Sequence, residues 1–344
     1  MSNDVKYNIN EYGFDWPSTF NDNVHSSYLN KKQLKEDKYI PKWKALNGTY
    51  IRSNVLKKMI RKGIPRQYRC DVWMSISSAK RLMLENESKY CELTAKNSDA
   101  NRYNKIKDSN GEAQLDIIQR DLNRTFPENP GFKEPIMQNN LQDILMAYCL
   151  YRPEVGYCQG LNYIVGSLLL ATQKPDGELL PEHCFWLLVA LLDIIPDYHS
   201  IKMSCLNTDC LVLDQLITKR IPKTHSKVSS FGLPLQMFVT KWFVCLFVDI
   251  LPFHTVLHVW DTLFYEGFKI LFRVAVYQFL LHKYELKALE DPSTLALTFR
   301  EMFWDSKAWD NYEHMKNVFK KTSKMRRESL VSKRQIKISE NKQV

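Results

Sequence analysis

The sequence predicts an all-α fold, and three observations predict it. Apolar residues recur three and four positions apart in one segment after another, as a buried helix face requires. Strand-like alternation is nearly absent, and no internal repeat recurs at a fixed period. With 344 residues, 44% of them hydrophobic and 25% charged, the chain has enough apolar material for a large core, and its length favours two helical lobes meeting in a groove.

Residues 1–48 are polar with scattered aromatics ("EYGFDWPSTF", "IPKWKALNG") and read as a partly extended arm able to dock on a domain. The helical domain is expected over 49–315, with an N-lobe over about 49–194 and a C-lobe over about 195–315. Its first helix is "YIRSNVLKKMIRKG", where Ile51, Val55, Met59 and Ile60 share a face and Gly63 supplies a cap. Pro65 restarts the chain into "RQYRCDVWMSISSAKRLML". Residues 95–113 are rich in Asn and Lys and read as a loop. Helices then follow at about 114–125, 137–151, 160–172, 181–194, 207–220, 234–249, 253–265, 268–286 and 293–304.

Two stretches carry chemistry-bearing residues. In the first helix of that series Leu115, Ile118 and Leu122 fall on one face. At ~100° per residue, Asp121 lies about 60° from Ile118, and Arg124 about 60° further on the same side. The two are neighbours at i, i+3, which suits an ion pair. Pro127 drives Phe126 out of the α region, so the helix should end near Thr125 with Arg124 at its lip. On this segment alone, a weak surface ion pair at a helix end describes the pair as well as a charged group held ready for a partner. The second stretch is "EVGYCQGLNYIVGSLLL", residues 154–170. Gly156 and Gly160 bracket Tyr157, Cys158 and Gln159, and an apolar helix follows. Gln159 then sits at a helix start, either satisfying a backbone group or pointing its amide outward. Two uses are open to Asn162: capping the turn, or hydrogen bonding to a partner's backbone.

Taken together, the motifs are specific. "IQRDLNRT" fits I-x-x-D-x-x-R-T through Ile118, Asp121, Arg124 and Thr125, and "YCQG" fits Y-x-Q-G through Tyr157, Gln159 and Gly160. "KGIPRQYRCDVW", with Gly63, Pro65, Arg69 and Trp73, stands upstream. "WFVCLFVDILPFHTVLHVWDTLFYEG", with Trp242, Pro252, Trp260, Asp261 and Gly267, stands downstream. Over roughly residues 50–310 the sequence resembles the TBC-domain family, GTPase-activating proteins of Rab small GTPases. The resemblance implies a two-lobed Rab-GAP TBC domain with Arg124 as an arginine finger and Gln159 as a glutamine finger, both given in trans. Asp121 would orient Arg124, Thr125 would fix the loop, and Tyr157 and Gly160 would shape the glutamine loop and meet the GTPase. Arg69, Trp73, Trp260 and Asp261 read as a polar–aromatic framework. The implied partner is a GTP-bound Rab protein, which carries the GTP and Mg; the chain itself would need no cofactor and no metal. The implied setting is the cytoplasm and the periphery of intracellular membranes where vesicles are trafficked. The rival within this fold is a catalytically silent Rab-binding effector or scaffold.

Other classes are set aside on pattern. G-x-x-x-x-G-K-[ST], H-E-x-x-H and G-x-S-x-G are absent, which removes nucleotide binding by a P-loop and the common hydrolase readings. The eight cysteines include no CxxC pair and read as reduced thiols of a cytosolic protein. Residues 1–20 do not read as a secretory signal, and the longest apolar runs stop short of the ~20 residues of a membrane span. Of the net charge of +10, residues 316–344 contribute +8, ten Lys/Arg against two Glu. That tail is expected to be a solvated, partly disordered end, with an anionic membrane surface as its alternative use. No basic stripe interleaved with aromatics crosses the folded part, which argues against a nucleic-acid partner.

Overall fold

Helical periodicity becomes helix nearly everywhere in the computed structural model, which describes residues 9–16, 22–95, 114–301 and 306–341. Among the described residues there is no strand, only an isolated bridge between Ile9 and Asp15. The first half holds α1 (Asp22–Lys44), α2 (Asn54–Ile60), α3 (Arg66–Ile76), α4 (Ala79–Glu85), α5 (Lys89–Thr94), α6 (Gln114–Leu122), α7 (Pro135–Tyr151), α8 (Leu161–Thr172) and α9 (Pro181–Ile194). The second holds α10 (Ser204–Arg220), α11 (Pro222–Ser229), α12 (Gln236–Val244), α13 (Phe253–Glu266), α14 (Lys269–Leu281), α15 (Lys283–Ala288), α16 (Ser293–Glu301), α17 (Ser306–Trp309), α18 (Asn311–Lys321) and α19 (Arg327–Asn341). Proline opens α7, α9 and α11, where its missing N–H costs nothing and its fixed φ suits the first turn.

The most apolar helices are the most enclosed. In α8 every residue but Tyr163 is buried, and in α9 the run Cys184–Leu192 is buried throughout, so both lie inside the fold. Helix α8 packs against α3, α6, α7 and α9, while α10 packs against α11, α12, α14 and α19. Helix α13 touches α2, α3, α14 and α18, and so ties the two groups together. One continuous apolar core runs from Tyr12 to Leu330, through both halves.

A buried carboxylate fixes α13 to α3. Asp261 is fully buried and accepts from Arg69 Nε at 3.1 Å, Trp73 Nε1 at 2.9 Å and the Ile64 amide at 2.9 Å. Arg69 in turn donates to Ile64 O at 2.8 Å and to the Tyr12 hydroxyl at 2.7 Å. Burial pushes the Asp261 pKa up, and the guanidinium and the N–H donors pull it back toward the charged form. Trp260 completes the framework, donating to Leu246 O at 3.0 Å.

Several boundaries differ from the sequence reading. The arm is mostly helix: α1 runs from Asp22 to Lys44 although its residues are largely polar, because Tyr28 and Trp43 bury their rings and anchor it. Residues 9–16 do dock, with Tyr12 buried and Phe14 packed on Phe126 and Phe253. The face assigned to α2 is rotated: Ile51 and Val55 are exposed, and Leu56 and Ile60 are the buried pair. The helix expected over 234–249 ends at Val244, and Leu246, Phe247 and Asp249 then adopt positive φ to turn the chain toward Pro252. The expected 268–286 helix breaks at His282. The loop read at 95–113 lies outside the described residues beyond Ala95, as do 302–304 of the last expected helix. The basic tail is not a loose end, since 316–321 continue α18 and α19 packs on α10. Arg334 of α19 pairs with Asp209, a fully buried carboxylate that also accepts from Tyr198 Oη, and lies 3.4 Å from the ring centre of Phe268. All eight cysteines are free, and no described helix is long and apolar enough to cross a membrane.

Asp261→Ala removes one partner of a buried pair and leaves Arg69 uncompensated. It should cost about 3–5 kcal/mol, read as a lowered urea midpoint at unchanged m-value. Burial also holds His254 at a pKa of about 4 and His258 at about 3, against an ordinary 6.5. The unfolded chain therefore takes up protons first as pH falls, so stability is full above about 6.5 and declines from there toward 4. At pH 5.5 each such histidine should account for roughly 1 kcal/mol of lost stability, measured by urea titrations across that range.

Candidate functional site

Two segments distant in sequence meet at one carboxylate. Helix α6 buries Ile118 and Leu122 and carries Asp121 beside them, also buried. The helix ends at Leu122, three residues earlier than the spacing suggests, and the chain tightens through Arg124 N to Asp121 O at 3.3 Å and Thr125 N to Leu122 O at 3.1 Å. Phe126 leaves the right-handed region as Pro127 requires, but it does so into the left-handed one, at φ 48°. A bulky residue rarely adopts that backbone. Its ring is held at 5.1 Å from Phe14, 5.1 Å from Phe132 and 5.4 Å from Tyr163, contacts that offset the strain.

The Asp121 side chain is 4% exposed and divides its two oxygens. Oδ1 meets Arg124 Nη2 at 2.5 Å, and Oδ2 accepts from Tyr157 Oη at 2.5 Å. Arg124 keeps 51% of its side chain open to solvent. The arginine is thus tethered at one nitrogen, while much of its guanidinium faces outward. Burial, together with the hydrogen bond to Asp121, raises the Tyr157 pKa far above the ordinary phenol value, so the hydroxyl stays a donor.

The loop after α7 is fixed by a network of hydrogen bonds through Asn162 and Thr125. Asn162 Nδ2 donates to Thr125 Oγ1 at 2.8 Å, and Thr125 Oγ1 donates to Asp121 O at 2.7 Å. Asn162 Oδ1 accepts from the Gly160 amide at 3.2 Å and lies 3.3 Å from Tyr157 Oη, whose single proton is committed to Asp121. Asn162 is fully buried and caps the turn, the first of the two uses its position leaves open. Gln159 is exposed just before α8, with no hydrogen-bond partner for its amide among the described residues. Gly160 has φ 107°, and a Cβ there would stand 2.9 Å from Val244 Cγ1 and 3.2 Å from Cys245 Sγ.

The candidate site residues belong to this one cluster: Asp121, Thr125, Tyr157, Gly160 and Asn162 inside it, Arg124 and Gln159 emerging from it. Two further residues take part. Gln114, buried at the start of α6, accepts from the Tyr157 amide and so joins that helix to the second loop. Tyr163 Oη donates to the Arg124 carbonyl at 3.1 Å. Tyr163 lies in the first turn of α8 and is the one residue of that helix left unburied. Nothing in the local sequence marks Gln114. No group of three or more His, Cys, Asp or Glu that could hold an ion occurs among the described residues. Cys158 beside Gln159 is pushed up to about 11 by burial and remains a thiol near neutral pH.

The family model described as Rab-GTPase-TBC domain matches residues 66–287. The chain belongs to this family. The human Growth hormone-regulated TBC protein 1 is 34% identical over 317 residues, covering 90% of this chain and 89% of that protein. The Xenopus laevis protein of the same name is 37% identical over 289 residues, covering 82% of this chain and 79% of that one. Among solved structures, the Chlamydomonas flagellar RabGAP TBC domain superposes with a TM-score of 0.75 at 27% identity, over 91% of this chain and 98% of that chain. The Ypt/Rab-GAP domain of Gyp1p, at 19% identity and a TM-score of 0.67, shares the fold. In this TBC domain the family match begins at Arg66 and so leaves out Tyr12 and Phe14, which nonetheless pack on Arg69 and Phe126.

Gly160→Ala should strain the second loop, because alanine has neither the backbone freedom nor the space. An expected loss of about 1–2 kcal/mol is measurable by urea unfolding. A variant as stable as the native chain would mean that the loop has relaxed away from Val244.

Proposed function

We propose that this chain is a GTPase-activating protein for a Rab-family small GTPase, with Arg124 and Gln159 entering the partner's nucleotide site. One observation carries the reading: an arginine and a glutamine with exposed side chains project from loops bound to the same buried carboxylate. Family membership supports it, as do relatives whose names describe such activity, among them the yeast GTPase-activating protein GYP3, 29% identical over 277 residues.

A small GTPase hydrolyses GTP slowly, because charge shifting in the transition state is poorly stabilised and the attacking water is poorly held. An arginine given in trans supplies ~10³–10⁵ in rate, about 4–7 kcal/mol of barrier. Guanidinium suits the task, being permanently charged, planar and able to donate two parallel bonds to phosphate oxygens. In this reading Arg124 arrives with one nitrogen on Asp121 and the rest of its fork free. Holding it this way reduces the rotamer entropy lost on docking. Gln159 orients the water through its amide. Thr125, Tyr157, Gly160 and Asn162 keep the two loops in register and shape the surface the GTPase meets. The chain acts as an activator rather than on a substrate of its own: the GTP-bound partner brings the nucleotide and its Mg²⁺, and no cofactor of this chain enters any step.

The setting proposed is the cytoplasmic periphery of intracellular membranes, on vesicle-trafficking routes. The exposed Lys320, Lys321, Lys324 and Arg326 would touch an anionic surface there transiently, at roughly 1 kcal/mol per charge. Reversing those four charges should reduce sedimentation with phosphatidylserine vesicles; unchanged recovery would remove the membrane contact.

Single-turnover hydrolysis by a panel of purified Rab proteins tests the main proposal. Arg124→Ala and Arg124→Lys should each lose about three orders of magnitude of stimulation on the responsive Rab while binding persists. Gln159→Ala should lose most of it as well. Stimulation undiminished by Arg124→Ala would reject the arginine assignment. Binding without stimulation by the native chain on every Rab would leave a silent effector or scaffold.

A further inference from the structure

Away from the two loops, a second region has the character of a binding site. Helices α1, α13 and α18 and the end of α2 enclose an open cleft of about 410 Å³, within the size range of ligand sites. Its walls are rings: Tyr39, Tyr312, Phe319 and His258. Its rim is cationic: Lys35, Lys58, Arg61, Lys62 and Lys316, with no Asp or Glu among the described lining residues.

The charge at this rim is only partly compensated. Arg61 is occupied by Glu266, Nη2 to Oε2 at 2.8 Å, and Lys316 by Glu313 at 2.9 Å. Lys58 and Lys62 are exposed and have no carboxylate within ion-pair distance among the described residues. Several of these cations lie over the rings: Lys35 Nζ is 3.9 Å from the Tyr312 centroid, Lys62 Nζ 4.9 Å from Tyr39, and the Arg61 guanidinium 4.5 Å from Phe319. They are therefore splayed around an apolar floor instead of converging on one point.

That layout selects among anions. A compact polyphosphate needs donors that converge, and it gains nothing from aromatic walls. An extended acidic segment meets spaced cations one by one, while an apolar side chain on it covers the rings and removes them from water. No part of this chain outside the described residues supplies such a segment: none of those stretches carries a net negative charge above one. We propose that this cleft docks an acidic peptide segment of a partner protein, with one apolar anchor seated among Tyr39, Tyr312 and Phe319 and flanking carboxylates on Lys58 and Lys62.

The test is fluorescence anisotropy on the full chain. The probe is a fluorescein-labelled peptide with a leucine–phenylalanine pair between runs of glutamate. Saturable binding is expected, weakened roughly tenfold, or 1.4 kcal/mol, in the double variant Lys58→Glu, Lys62→Glu, whose exposed positions leave the fold intact. Replacing the peptide's apolar pair with serines should weaken binding by a similar factor, which tests the floor without altering the protein. Inositol hexakisphosphate should compete poorly. No saturable binding, an unaffected double variant, an equally bound serine peptide, or strong displacement by the inositol phosphate would each overturn the proposal, the last in favour of a phosphate site. Every readout is independent of GTP hydrolysis, so failure here leaves the reading of Arg124 and Gln159 untouched.

Discussion

The geometry of the candidate site depends on how Asp121 divides its two oxygens. One holds Arg124, and the other holds the Tyr157 hydroxyl, so a single buried carboxylate sets the orientation of a guanidinium and the position of a loop 36 residues away in sequence. A buried charge is costly unless paired and hydrogen-bonded, and here each of the two oxygens is engaged by a group that matters to the site. The network through Asn162 and Thr125 back to Asp121 O then leaves the two loops little freedom to move separately. Such mutual satisfaction is what makes a polar network rigidify its surroundings instead of destabilising them.

A second carboxylate does for the whole fold what Asp121 does for the site. Asp261 gathers Arg69, Trp73 and the Ile64 amide, and Arg69 extends the network to Tyr12 in the N-terminal segment. The neighbouring Phe14 packs on Phe126, the residue whose left-handed backbone turns the chain directly after Thr125. Scaffold and site are therefore continuous, joined through a part of the chain that precedes the family match.

The helical class was legible from short-range apolar spacing, and the candidate site residues from two short motifs that carry the TBC-family resemblance. Apolar spacing marks helices, and Asp121 with Arg124 at i, i+3 and glycines around Gln159 mark a tether and a turn. What escaped the sequence depends on tertiary partners. Helix α1 is polar along most of its length and is ordered by Tyr28 and Trp43, whose burial no local pattern announces. The face of α2 was misread because Ile51 and Val55 look like core residues but stay in solvent. The tail reads as a run of positive charge, yet Arg334 is held by Asp209, a buried carboxylate 125 positions earlier in the chain. Gln114 looks like any polar residue at a helix start until the Tyr157 amide arrives from another segment.

Docking of residues 9–16 sets a practical boundary for anyone shortening this protein. A fragment trimmed to the span recognised by similarity, 66–287, would strip Tyr12 from Arg69 and Phe14 from Phe126. It would also lose α18 and α19, leaving Asp209 buried without Arg334. The minimal unit that keeps its loops in shape is therefore larger than the unit that sequence comparison outlines, and it reaches outward at both ends.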